Sequence, residues 1–226
     1  FIFRAPANCY DGKQNQNEQG VDCGGVCQSV KVCSDQVSPL VVWWSRVFSL
    51  RPGQVYAVAV IQNRNSNLRL RSLSYDWQIV DDEDKVLATS QGETFVEAGE
   101  TFVLYQPSLA VSGRAKRAYL RLAEDLAWSV GGLVKAPVKI IAESYQDTPR
   151  PLLTAQLTNT SAEPIRELEV SVLLLDENNN VYGASQTVIK NLSAATTRQL
   201  SFSWPESFDR EPATIQFYPR SWSESE

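Results

Sequence analysis

From residue 37 to the C-terminus, apolar positions recur at every second residue far more often than at helical spacing. Residues 39–48 carry Val41, Val42, Trp43, Trp44, Val47 and Phe48, a β-forming run that Pro52-Gly53 closes as a turn. In the next run Val55, Ala57, Ala59 and Ile61 fall on one face, and Tyr56, Val58 and Val60 on the other. Both faces are apolar, which predicts a strand covered on both sides. Further strands are expected at 73–80, 85–88, 94–96, 101–105 and 117–122, separated by Asp, Asn and Gly turns. Residues 124–135 read as a connection or a strand end. A second series then runs through 138–145, 152–157, 168–175, 181–189, 197–202 and 214–218. Short strands between turn signals, without helical periodicity, predict an all-β chain built of sandwiches.

The two series can be laid over one another. Asn63, at the end of a strand, falls on Asn159, an offset of 96. Asp81-Asp82-Glu83-Asp84-Lys85-Val86 falls on Asp176-Glu177-Asn178-Asn179-Asn180-Val181, an offset of 95. Ser90-Gln91 then meets Ser185-Gln186, and Gly99-Glu100-Thr101 meets Ala194-Ala195-Thr196. A tandem duplication with one residue of slippage accounts for this. The expected organisation is a head at 1–36, a first sandwich at 37–136 and a second at 137–226.

The head breaks the pattern. All four cysteines lie between Cys9 and Cys33, where the apolar residues are too few for a core. An even, clustered set of cysteines predicts disulfides and an oxidising, extracytoplasmic compartment. A zinc ribbon is disfavoured by the Cys23-x3-Cys27-x5-Cys33 spacing and by the lack of histidine. Three pairings are open, and the one taken forward is Cys9–Cys23 with Cys27–Cys33. Oxygen donors are dense here: Asp11, Asn15, Asn17, Glu18 and Asp22. They suit either a hard cation such as calcium or a polar, disulfide-pinned linker.

The run Cys-x-Asp-Gly-x2-Asn-x2-Glu-x-Gly-Val-Asp-Cys-Gly-Gly-x-Cys, residues 9–27, resembles a short cysteine-rich motif of bacterial exported and surface proteins. That motif is similar to the Asp-Gly calcium loops of thrombospondin type 3 and Notch-type repeats. The resemblance implies a Ca2+ site with Asp11, Asn15, Glu18 and Asp22 as ligands. Residues 137–222 resemble the FxLYD family of extracytoplasmic Ig-like sandwiches. The resemblance rests on Leu157-Thr158-Asn159-Thr160, Leu173-Leu174-Leu175-Asp176, Val181-Tyr182-Gly183-Ala184 and Leu192, with Leu175 where the family typically has tyrosine. Together they imply a bacterial envelope protein with two tandem Ig-like domains, of the kind often tethered by an N-terminal membrane helix.

Charge and composition narrow the function. A formal net charge of -5 argues against nucleic acid as partner. With no histidine in the chain, Ser-His-Asp and Cys-His catalysis are excluded. Glu143, Glu163 and Glu167 offer no acid/base pair, so no enzyme is expected. The absence of methionine suggests a processed piece of a longer protein. Phe1-Ile2-Phe3-Arg4 reads either as the exit of a preceding membrane anchor or as an apolar patch that docks on a domain. Asp81 to Asp84 reads as a solvated turn, and Arg114, Lys116 and Arg117 as a solvated strand end. Asn159-Thr160-Ser161 formally fits a glycosylation acceptor, a match discounted for a bacterial protein. Adjacent Trp43 and Trp44 must face opposite sides, one of them towards a domain interface or a partner surface. The function expected is structural or adhesive, in an envelope, appendage or surface assembly that works through contacts with other surface proteins. The alternative is a carbohydrate- or cell-wall-binding module using Trp43 and Trp44.

Overall fold

A computed structural model describes residues 8–27, 32–33, 37–132, 135–147 and 150–222. The N-terminal tetrapeptide therefore lies outside the described residues, and so does the membrane-anchor expectation attached to it. The chain is all-β. Its strands are β1 (Val41–Arg51), β2 (Gln54–Gln62), β3 (Leu68–Val80), β4 (Val86–Val96), β5 (Thr101–Ala110), β6 (Arg117–Leu122) and β7 (Trp128–Val130). They continue as β8 (Val138–Gln146), β9 (Leu152–Asn159), β10 (Ile165–Leu175), β11 (Val181–Leu192), β12 (Thr197–Ser203) and β13 (Thr214–Arg220). Among the described residues these form four antiparallel sheets, in the orders β1-β2-β5, β4-β3-β6 with β7 also on β3, β11-β10-β13, and β12-β9-β8. No helix among the described residues is long and apolar enough to cross a membrane.

Three apolar layers lie between these four sheets. The first packs Ala57, Ala59 and Ile61 of β2 against Leu73, Trp77 and Ile79 of β3. A matching layer joins Leu153, Ala155 and Leu157 of β9 to Leu168, Val170, Val172 and Leu174 of β10. Between the two sandwiches a third layer gathers Tyr56, Val58 and Val60 of β2 with Leu173 and Leu175 of β10 and Ala184 of β11. Strand β2 is thus covered on both faces, as its two apolar rows require, and β10 is its counterpart. Each fully buried Val or Leu in this middle layer contributes about 1.5–3 kcal/mol. Burial there pushes the Tyr56 phenol well up and that of Tyr105 up to about 12.

The two series share the hydrogen bonds of their turns. Asp81 Oδ1 accepts the amides of Glu83 and Lys85, and Asp176 Oδ1 accepts those of Asn178 and Asn180. Asp84 and Asn179 take the same left-handed φ, 62° and 59°. Asn63 and Asn159, both buried, donate to Glu97 O and Ser193 O, and each accepts the amide two residues on. Gly99 N donates to Asn65 O and Ala195 N to Ser161 O, so Gly99 corresponds to Ala195. The sequence alignment, which set Gly99 on Ala194, is off by one there because β11 is one residue longer than β4.

One further expectation changes. The runs expected at 85–88 and 94–96 are joined in one strand, β4, which begins at Val86. Its polar middle reads as a break in sequence, yet Gly92 lies opposite Tyr75, whose ring occupies the space a side chain would fill. The discounting of Asn159 as a glycan acceptor agrees with its side chain, which is buried and spent on the turn. The acidic turn and the basic strand end are both solvent-exposed, as expected, with Arg117 Nη2 lying 2.9 Å from Asp84.

Candidate functional site

The head is held by two disulfides, Cys9–Cys27 and Cys23–Cys33. This corrects the expected pairing of Cys9 with Cys23 and Cys27 with Cys33. The chain turns back sharply at Gln16, Asn17, Asp22, Gly24 and Gly25, all with positive φ, and so carries Cys27 under Cys9. Gly25 admits no side chain, since a Cβ there would stand 1.9 Å from Asn17 O. Val32 leaves the head to join the first sandwich's core, and its amide bonds Trp128 O at 3.2 Å.

The four expected calcium ligands divide into two groups. Asp22 uses both carboxylate oxygens on the chain itself, accepting the amides of Asp11 and Gly12 at 3.0 and 2.8 Å. Asp11 accepts the Lys13 amide and the Asn15 side chain, whose hydrogen bond holds the Asp11 carboxyl below its ordinary range. Glu18 turns away and is buried. Its Oε2 takes the Asn15 amide at 2.9 Å, and Oε1 lies 3.0 Å from Cys27 Sγ. That sulfur is in a disulfide and carries no proton, so the contact is sulfur against oxygen rather than a hydrogen bond. Cys9, Glu18 and Cys27 form the cluster of acidic and sulfur donors within 4.8 Å of one another among the described residues. Joined sulfurs offer no thiolate, and the cluster does not suit a metal as it stands.

The fit to calcium turns on Asn15. Its Oδ1 is buried without a hydrogen-bond donor, the kind of oxygen a hard cation satisfies. Asp11 and Asp22 lie beside it in the hydrogen-bond network, while Glu18 supports Asn15 from behind.

Trp43 and Trp44 part company through a β-bulge. Val42 pairs with Ile61 and Trp44 with Val60, leaving Trp43 as the extra residue. Trp43 is 58% exposed, whereas Trp44 packs against the middle layer beneath Arg46, 5.1 Å from its guanidinium. A paired tryptophan platform is not assembled.

A cleft of about 590 Å³ separates the head from the first sandwich. Its walls come from Val32, Leu40, Leu122, Leu126 and Trp128 with the Cys23–Cys33 bridge, and Glu124 and Asp125 stand at its rim. Sequence reasoning missed it because its walls lie some ninety residues apart in the chain. Leu126 and Trp128, within the stretch 124–135 read as a connection or strand end, were its one local sign.

No family model matches the chain, and no curated protein does. Among solved structures, red sea bream transglutaminase aligns with 12% identity and a TM-score of 0.27. The alignment covers 81% of this chain and 29% of that one. At that score the likeness carries no argument about fold or function.

Proposed function

We propose that this chain is a non-catalytic structural component of an extracytoplasmic surface, built of two tandem Ig-like sandwiches and acting through contacts with other proteins. The observation that carries this reading is the third apolar layer, which couples the sandwiches through Tyr56, Val58, Leu173 and Leu175. A body fused in this way suits presentation and spacing better than it suits a closing cleft. Two disulfides in the head support an oxidising compartment. Chemical cross-linking in the native envelope tests the reading. Cross-links to neighbouring proteins are expected, and turnover of any substrate by the isolated chain would overturn it.

Calcium belongs to the same reading. Asp11, Asn15 and Asp22, with Glu18 fixing Asn15, are the proposed Ca2+ residues, supported by the donorless Asn15 Oδ1. Bound calcium would neutralise the two aspartates and stiffen the loop. A chelator should then lower the melting temperature of the head, and an unchanged melt would remove the metal from the proposal.

A second reading, a carbohydrate- or cell-wall-binding module, is favoured by one observation: the bulge that sets Trp43 into solvent. Glycan binding that Trp43→Ala abolishes would put this reading first.

A further inference from the structure

We infer that the cleft between the head and the first sandwich is a docking site for an extended peptide of a partner protein, in which apolar residues are followed by Lys or Arg. The inference rests on the proposed role in protein contacts and names where one such contact is made.

The cleft has the size and lining of a binding site rather than of a packing fault. Its volume of about 590 Å³ falls in the range of ligand pockets. Its floor is continuous with the core, since Val32 and Trp128 belong to the first apolar layer and Leu40, Leu122 and Leu126 pack on it. One wall is the Cys23–Cys33 bridge, so the covalent staple holds the site open in the absence of any occupant. Val21, 54% exposed, extends the apolar surface out of the cleft. A half-open slot of this kind suits a chain running through it.

Charge selects among the occupants. Glu124 and Asp125 are both exposed, and neither makes a hydrogen bond or ion pair with the described residues. Across from them, the head's side of the cleft is lined by Val21, Cys23, Val32 and Cys33, which carry no charge. An acidic apolar chain would meet repulsion at the mouth. A basic one would seat its apolar side chains on Leu126 and Trp128 and bring its cation to the carboxylates of Glu124 and Asp125. Like-charge juxtaposition is the stronger discriminator at such a rim.

The probes are the peptides acetyl-Leu-Phe-Leu-Lys-amide and its twin ending in Glu, titrated into the whole chain by isotope-edited NMR and tryptophan fluorescence. The basic peptide should bind about tenfold more tightly at low salt, and the advantage should shrink at high salt. Shifts should centre on residues 122–128, and Glu124→Gln with Asp125→Asn should level the two peptides. Equal binding of the twins by the unaltered chain, or binding by neither, overturns the inference. Tighter binding after deletion of residues 1–4 overturns it in favour of the chain's own Phe1-Ile2-Phe3-Arg4 as occupant. Dimers that the basic peptide dissociates overturn it in favour of a second copy. None of these results bears on cross-linking in the envelope, so the cleft and the wider role fail separately.

Discussion

Arg220 Nε donates to Glu100 Oε1 at 3.1 Å, tying the last strand of the second sandwich to a turn of the first. Arg220 is 3% exposed, and its guanidinium lies between the rings of Phe95 and Phe102 at 4.1 and 4.2 Å and bonds Thr94 Oγ1 and Phe95 O. Stacking and a planar fork are used together, which only arginine provides.

Removing that side chain leaves Glu100 partly buried with its partner gone. Arg220→Ala is expected to destabilise the chain by about 3–5 kcal/mol in urea denaturation, the cost of breaking a buried pair. Arg220→Lys should recover only part of this, because lysine neither stacks nor forks. A loss under about 1 kcal/mol, the size of an exposed pair, would mean that water reaches the cluster.

The same junction has a pH signature. Burial raises the Glu169 carboxyl above its ordinary value, Arg220 at 3.8 Å offsetting this only in part. A group whose pKa is higher folded than unfolded favours folding most when protonated. Its contribution is complete below the unfolded value and is lost as pH rises through the folded one. Glu169→Gln should therefore stabilise the chain at neutral pH, and the gain should vanish in acid. Denaturant midpoints between pH 3 and 8 check this, and a mutant less stable at neutral pH would show the ion pair outweighing burial.

Much of this architecture was legible in the chain because it is periodic. The two apolar rows of β2 announced a strand covered twice, and Asp81 and Asp176 announced matching turns. Arg220 was not legible: Tyr218-Pro219-Arg220-Ser221 looks like any strand end, and only distant rings and carboxylates make the site. The bulge at Trp43 was hidden for a similar reason. Val42 and Trp44 share a parity in sequence yet face different layers, because the extra residue flips the strand. In the head, the donor residues were legible and their division was not, since Glu18 is drawn off by burial against a bridge whose pairing spacing alone leaves open.

The equivalent turn positions Gly99 and Ala195 make an internal control. Both have positive φ, 62° and 50°, where a Cβ costs about 1–2 kcal/mol. Gly99→Ala should destabilise by about that amount. Ala195→Gly should stabilise by about 0.5–1 kcal/mol, the relief of strain being offset by the freedom glycine brings to the unfolded chain. Thermal melts of the two variants check the pair, and shifts of the same sign would break the correspondence between the turns.

The two disulfides should differ in what they hold. Cys9–Cys27 closes the head on itself, whereas Cys23–Cys33 sits beside Val32, whose amide bonds Trp128 O. Each closes a loop whose constraint contributes about 3 kcal/mol. Replacing Cys23 and Cys33 by serine should therefore free Val32 from the core and expose Trp128, seen as a red shift and easier quenching of tryptophan fluorescence. Replacing Cys9 and Cys27 should leave that signal unchanged while the head becomes sensitive to protease. Trypsin cannot report the pairing, because Lys13 and Lys31 leave Cys23 and Cys27 on one peptide. Fragmentation between Gly24 and Gly25 does report it. Fragments linking Cys9 to Cys27 are expected, and fragments linking Cys9 to Cys23 would restore the pairing first read from the chain and detach Val32 from any covalent anchor at Cys23.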